Sequence, residues 1–154
     1  MEKILKKIDV LASEYRKYGY EFNRGATEEE LKMFVARCKN ELGLIPPDQY
    51  LYFLNKFDGL VVEGVFLYST RPIKIIGCSG HSLEFVEMNV LSRDLEWMNE
   101  FVVFGDSDQD EYVLDVASNI YQVRDKQAFD NVYEEFDSFS GLFEHMVDLM
   151  LFRV

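Results

Sequence analysis

Three aspartates alternate at Asp106, Asp108 and Asp110, the spacing with which a calcium loop presents its first ligands. Glu111 stands where such a loop needs a glycine for its sharp turn, and Ala117 where it needs a bidentate glutamate. The alternation therefore reads as an acidic hairpin loop, either simply solvated or serving to dock a partner. Cys78 and His81 lie three residues apart in Gly77-Cys78-Ser79-Gly80-His81. The Gly77 to Gly80 stretch is one residue short of a nucleophile elbow. A Cys78–His81 nucleophile pair, or one with His145 as a distant base, would also need a third group to orient the imidazole. A loop thiol beside a loop imidazole is the default reading. Two Cys and two His in the whole chain are a poor set for structural zinc, which takes four ligands. His145 flanks an apolar helical stripe and reads as a boundary histidine. With no phosphate loop, dinucleotide fingerprint or triad signature, no cofactor and no metal are expected, and the chain reads as a binder more than an enzyme.

Charge carries more information. The 154 residues hold 28 acids and 16 bases, a net charge of −12. The excess lies entirely after Leu83. Between Glu84 and Asp115 there are 10 acids and a single base, Arg93. Such a field repels phosphates, so direct nucleic-acid binding is not expected. A basic macromolecule is its natural complement, although acidity also serves solubility. Asp106, Asp108, Asp110 and Glu111 are the acids expected to dock such a partner, with Glu96 and Glu100 behind them. Trp97, Tyr112 and Tyr121 are candidate aromatic anchors, with core packing as the competing role, and exposed aromatics would equally serve a homodimer. Glu134, Glu135 and Asp137 precede a helix whose dipole they would complement.

The elements that must position these residues follow from periodicity. Ile4, Ile8, Leu11 and Tyr15 make one apolar helical stripe. Thr27 with Glu30 forms a capping box for a second helix ending at Gly43. Pro47 suits the first turn of a third, with Tyr50, Phe53, Leu54 and Phe57 facing inward. Residues 60–68 and 73–76 read as strands. Over 81–99 a helix is expected, with Phe85, Met88 and Leu95 inward. Strands follow at 101–104, 111–116 and 120–124, the last being the final strand. Asp137 or Ser138 caps a closing helix carrying Phe139, Leu142, Phe143, Met146, Val147 and Met150. The expectation is α+β: an antiparallel sheet of about four to six strands with N-terminal helices and a closing C-terminal helix packed on it. One domain is expected, with residues 1–24 a helical extension and 25–150 the core. No run approaches the roughly 20 apolar residues of a membrane span, and Met1 to Lys7 does not resemble a signal peptide, so a cytoplasmic location is expected.

Glu41 to Gly59 resembles a signature of the SUKH superfamily of Smi/Knr-like domains. Leu42-Gly43, Pro47, Tyr50, Phe53, Leu54 and Gly59 fall at its offsets, although Pro46 stands where leucine is usual. Phe101 to Gly105, the acidic turn and Tyr112 to Asp115 look like the family's central hairpin. Ser138-Phe139 with Leu142 looks like its closing helix. The resemblance covers about residues 25–150 and looks closest to the bacterial YrhA-like branch. It implies a non-catalytic immunity protein of a polymorphic toxin system that binds and neutralises a cognate toxin, often a nuclease. The other role it implies is a regulatory or scaffold module with an endogenous partner.

Overall fold

The computed structural model describes every residue except Cys78 and Leu83. Helix α1 (Glu2–Arg16) buries Ile4, Ile8, Leu11 and Ala12, the face its spacing required. Thr27 caps α2 (Glu28–Arg37) through the reciprocal box: Thr27 Oγ1 accepts from Glu30 N and Glu30 Oε1 accepts from Thr27 N, both at 3.1 Å. The helix then widens into one π turn, Cys38–Leu42, that keeps Cys38 and Leu42 in the core before Gly43 turns left-handed at φ 66°. Pro47 stands just outside α3 (Asp48–Lys56), because its ψ of 143° is extended. Tyr50, Phe53 and Leu54 are buried from α3.

Strands β1 (Leu60–Val62) and β2 (Val65–Leu67) are joined by Glu63-Gly64. Both turn residues have positive φ, 47° and 76°, the sense that matches strand twist in a two-residue hairpin. A two-stranded ribbon follows, β3 (Ile73–Lys74) with β4 (His81–Ser82), and then α4 (Phe85–Ser92) and a 3₁₀ turn, Glu96–Glu100. Strands β5 (Phe101–Asp106), β6 (Asp110–Asp115), β7 (Ile120–Asp125) and β8 (Val132–Phe136) form a meander, and α5 (Phe139–Arg153) closes the fold. The main sheet has six antiparallel strands in the order β1-β2-β5-β6-β7-β8.

Aromatic rings from each layer fill the core. Tyr50 meets Phe104 edge-on at 5.1 Å, and Phe139 packs on Phe104 at 5.2 Å. The Tyr50 hydroxyl donates to the Tyr68 carbonyl at 2.6 Å, which satisfies its polar end inside the core. Strand β5 bulges between Val103 and Gly105. There the buried Asn89 side chain takes the place of a strand neighbour, accepting from Val103 N and donating to Val103 O, both at 2.8 Å. At Gly105 a Cβ would stand 2.1 Å from the Phe66 carbonyl oxygen, so only glycine lets β2 close on β5.

Several expectations need correction. The 81–99 segment is not one helix but a strand, a two-turn helix and a 3₁₀ turn, and Leu95 is 57% exposed. Arg93, Asp94 and Leu95 lie in the break between the two helical pieces. Residues 120–124 do not form the final strand, because β8 follows. Glu134 and Glu135 lie on β8 and not at a helix start, so Ser138 alone caps α5, accepting from Gly141 N at 3.3 Å. β8 is an edge strand with Val132 to Glu135 exposed. Charged side chains on such an edge discourage pairing with other chains.

Candidate partner-binding surface

The hairpin between β5 and β6 carries four of the predicted docking acids, and the fold occupies most of them. Asp106 accepts from the buried Tyr68 hydroxyl and lies 3.3 Å from Lys126 Nζ. Asp108 is exposed, but Arg153 Nη2 donates to it at 2.7 Å, which holds its carboxyl below the usual range. Asp110 is half-buried, and burial raises its pKa. Its backbone closes the loop instead: Ser107 N donates to Asp110 O at 2.8 Å, and Asp110 N donates to Ser107 Oγ at 3.2 Å. The alternating aspartates thus form no cage, and among the described residues no group of three or more side chains could hold a metal.

Glu111 is half-buried on the sheet face opposite α5. Burial raises its pKa, and the cross-strand Asp106 raises it further against a smaller opposing effect of Lys126. In the unfolded chain Glu111 titrates near 4.3, roughly the ordinary value. Between that value and the higher folded one, the folded state holds the extra proton. Stability therefore falls as pH rises through this window, and the loss is complete above the folded value. Glu111→Gln is expected to raise the melting temperature at pH 7. The gain should vanish below about pH 4, where both states carry a neutral side chain. A melting temperature at pH 7 equal to that of the parent would contradict this account.

Glu96 and Glu100 lie elsewhere. They sit on the 3₁₀ turn that enters β5, whereas Asp106 ends that strand, and six residues of strand span roughly 20 Å. Glu96, Trp97, Asn99 and Glu100 line one shallow depression. Trp97 is 48% exposed and rests on Phe129 at 5.0 Å. Phe129 in turn packs edge-on against Phe101 at 4.9 Å, and the Arg124 guanidinium lies over both rings at 4.6 and 4.8 Å. Arg124 Nε donates to Gln122 Oε1 at 2.8 Å, and Arg124 Nη1 donates to the Phe129 carbonyl at 2.9 Å. This support places a large amphipathic ring at the surface in a fixed pose. Asp94, Glu96 and Glu100 are exposed, and none has a salt-bridge partner among the described residues. The other two candidate anchors are core residues, not surface ones. Tyr112 is inaccessible and Tyr121 is buried, because α5 covers the sheet face they share.

His81 is exposed on β4 opposite Lys74, and the Cys78 half of the proposed nucleophile pair lies outside the described residues. His145 is half-buried against Tyr112 and Phe136, the boundary position its spacing suggested. Phe129 and Arg124, which hold Trp97 in place, carried no sequence signal. Phe129 stands in a short connection without periodicity, and Arg124 reads as an ordinary strand charge.

The helices ahead of a β meander, and the helix that closes it, match a known pattern at the sequence level. A family model described as the SMI1/KNR4 family (SUKH-1) matches residues 25–145. The chain belongs to the SMI1/KNR4 family. No curated protein matches it. In this SUKH-1 chain the matched span runs from the loop before α2 into α5 and leaves α1 outside. The Leu42-Gly43, Pro47 and Gly59 positions serve as scaffold here: a helix stop, a helix start and a turn into the sheet. No helix among the described residues is long and apolar enough to cross a membrane.

Proposed function

We propose that this chain is a non-catalytic immunity protein that binds and neutralises a cognate bacterial toxin domain. Basic nuclease domains are the class its charge fits best. SUKH-1 membership supports the reading, and the YrhA-like branch assignment and an intracellular site of action belong to it. The observation that carries it is the surface after Leu83 on which Asp94, Glu96 and Glu100 stand exposed without ionic partners among the described residues. A nuclease cleft is lined with bases for phosphates. Acids presented on the turn that enters β5 would steer encounter with it and compete for the same groups.

Growth rescue tests this. The toxin domain from the gene neighbourhood is induced with and without this chain. Rescue that depends on a stable complex is the expected result. Toxicity that persists despite well-expressed chain would sink the immunity reading and leave a regulatory or scaffold module with an endogenous partner.

A further inference from the structure

We infer that the segment Asp94–Glu100, with Trp97 as its anchor, is the face that docks a basic protein, and that the β5–β6 hairpin is not. This rests on the protein-binding reading above and goes further by assigning the face and the chemistry of its occupant. The first argument is electrostatic. At the hairpin Asp106 and Asp108 already meet Lys126 and Arg153, and Asp110 and Glu111 are half-buried. Around Trp97 the exposed acids have no ionic partner among the described residues, so a partner's Lys and Arg would meet unpaired carboxylates there. A paired or buried acid offers less, because its own partner must first be displaced.

The second argument is mechanical. Interface anchors are enriched in Trp, seated where little ordering remains to be done on binding. Trp97 is braced by Phe129, and the turn that carries it is anchored by the buried Met98 and tied at its Glu100 end to the chain after β6. Met98 is buried, its N–H donates to Leu95 O at 2.9 Å, and Val116 N donates to Glu100 O at 3.1 Å. Leu95, 57% exposed beside the anchor, adds apolar area. The occupant that fits is a protein surface with an apolar slot for the indole, rimmed by Lys or Arg. A second copy of this chain does not fit. A two-fold contact would oppose the same acids to one another, and like charges across such a contact are destabilising.

The test places a photo-crosslinking residue, p-benzoylphenylalanine, in the full chain at Asn99 or at Gln109 and irradiates source cells. Asn99 lies in the Trp97 depression, and Gln109 is exposed at the hairpin tip. The expected result is a crosslink from Asn99, and not from Gln109, to a basic protein identified by mass spectrometry. With that protein purified, Glu96→Lys combined with Glu100→Lys should slow association about tenfold at low salt, the deficit shrinking toward 1 M salt. Trp97→Ala should speed dissociation by a similar factor, about tenfold. Asp108→Asn should change either rate by less than about twofold. Thermal melts of each variant separate a lost contact from a lost fold. A crosslink from Gln109 alone, from neither position, or to another copy of this chain overturns the inference. A basic partner that is not a toxin, together with failed rescue, leaves this face standing and removes only the immunity reading.

Discussion

Deleting residues 1–24 is expected to leave a chain that no longer unfolds cooperatively at a measurable midpoint. Helix α1 lies ahead of the family match, and its sequence alone reads as an extension. Yet Ile4, Ile8 and Leu11 are part of the same hydrophobic core as Phe53, Phe143 and Met146. Burying three such aliphatic side chains contributes about 5–9 kcal/mol, which is comparable to the whole stability of a domain, about 5–15 kcal/mol. The flanking ion pairs, Lys7 to Glu144 at 2.8 Å and to Asp148 at 2.6 Å, are at the surface and add little. Leu11→Ala alone should cost about 2–5 kcal/mol. Denaturant melts of the 25–154 chain decide the matter. A sharp transition close to that of the full chain would make α1 a true appendage.

The second large effect is expected at Asp58. Its carboxylate is inaccessible to solvent. It accepts from Thr70 N at 2.8 Å, from Thr70 Oγ1 at 2.8 Å and from Arg71 Nε at 3.0 Å. It thereby ties the end of α3 to the chain leaving β2. Asp58→Ala removes the acceptor and strands two donors of the buried Thr70, each worth about 1–3 kcal/mol when left unpaired. Arg71 is half-exposed and can turn to water, so it adds little. The sum is a loss of about 3 kcal/mol. Asp58→Asn keeps an oxygen for the Thr70 N–H and should lose about half as much. An Asp58→Ala chain within about 0.5 kcal/mol of the parent, the range of ordinary surface changes, would show that the Asp58 carboxylate is not a structural tie.

What could be read in advance was what depends on near neighbours. Thr27 with Glu30, Gly43 and Ser138 each act within one helical turn, and each lies where its chemistry placed it. The central meander was legible because β5, β6 and β7 alternate or run apolar between turn residues. β8 was not. Val-Tyr-Glu-Glu-Phe has neither alternation nor burial to betray it, since an edge strand exposed on both sides carries no core face. Tyr112 and Tyr121 were ambiguous because a strand residue's exposure depends on what packs on its face, here α5. The candidate surface was legible only as charge. Asp108 and Arg153 are 45 positions apart, so nothing near Asp108 in the chain reveals that its charge is already met. The same holds for Phe129 under Trp97. These long-range pairings are the ground on which the proposed docking face is placed at Glu96 and Glu100 instead of at the hairpin.

The packing of α1 on α5 has a consequence for how the molecule is made. Lys7 and Glu144, which touch in the finished fold, are 137 positions apart. At ribosomal rates of about 5–20 residues per second, that interval lasts roughly 7 to 27 seconds. For that time the Ile4–Ile8–Leu11 stripe has been synthesised but its partner helix has not. The β5–β8 meander can zip from local hairpins meanwhile, but the core stays open along one side until α5 arrives. The nascent chain therefore presents a short amphipathic helix with an uncovered apolar face, the kind of segment that holdase chaperones shield, and completion of the fold waits on its last helix.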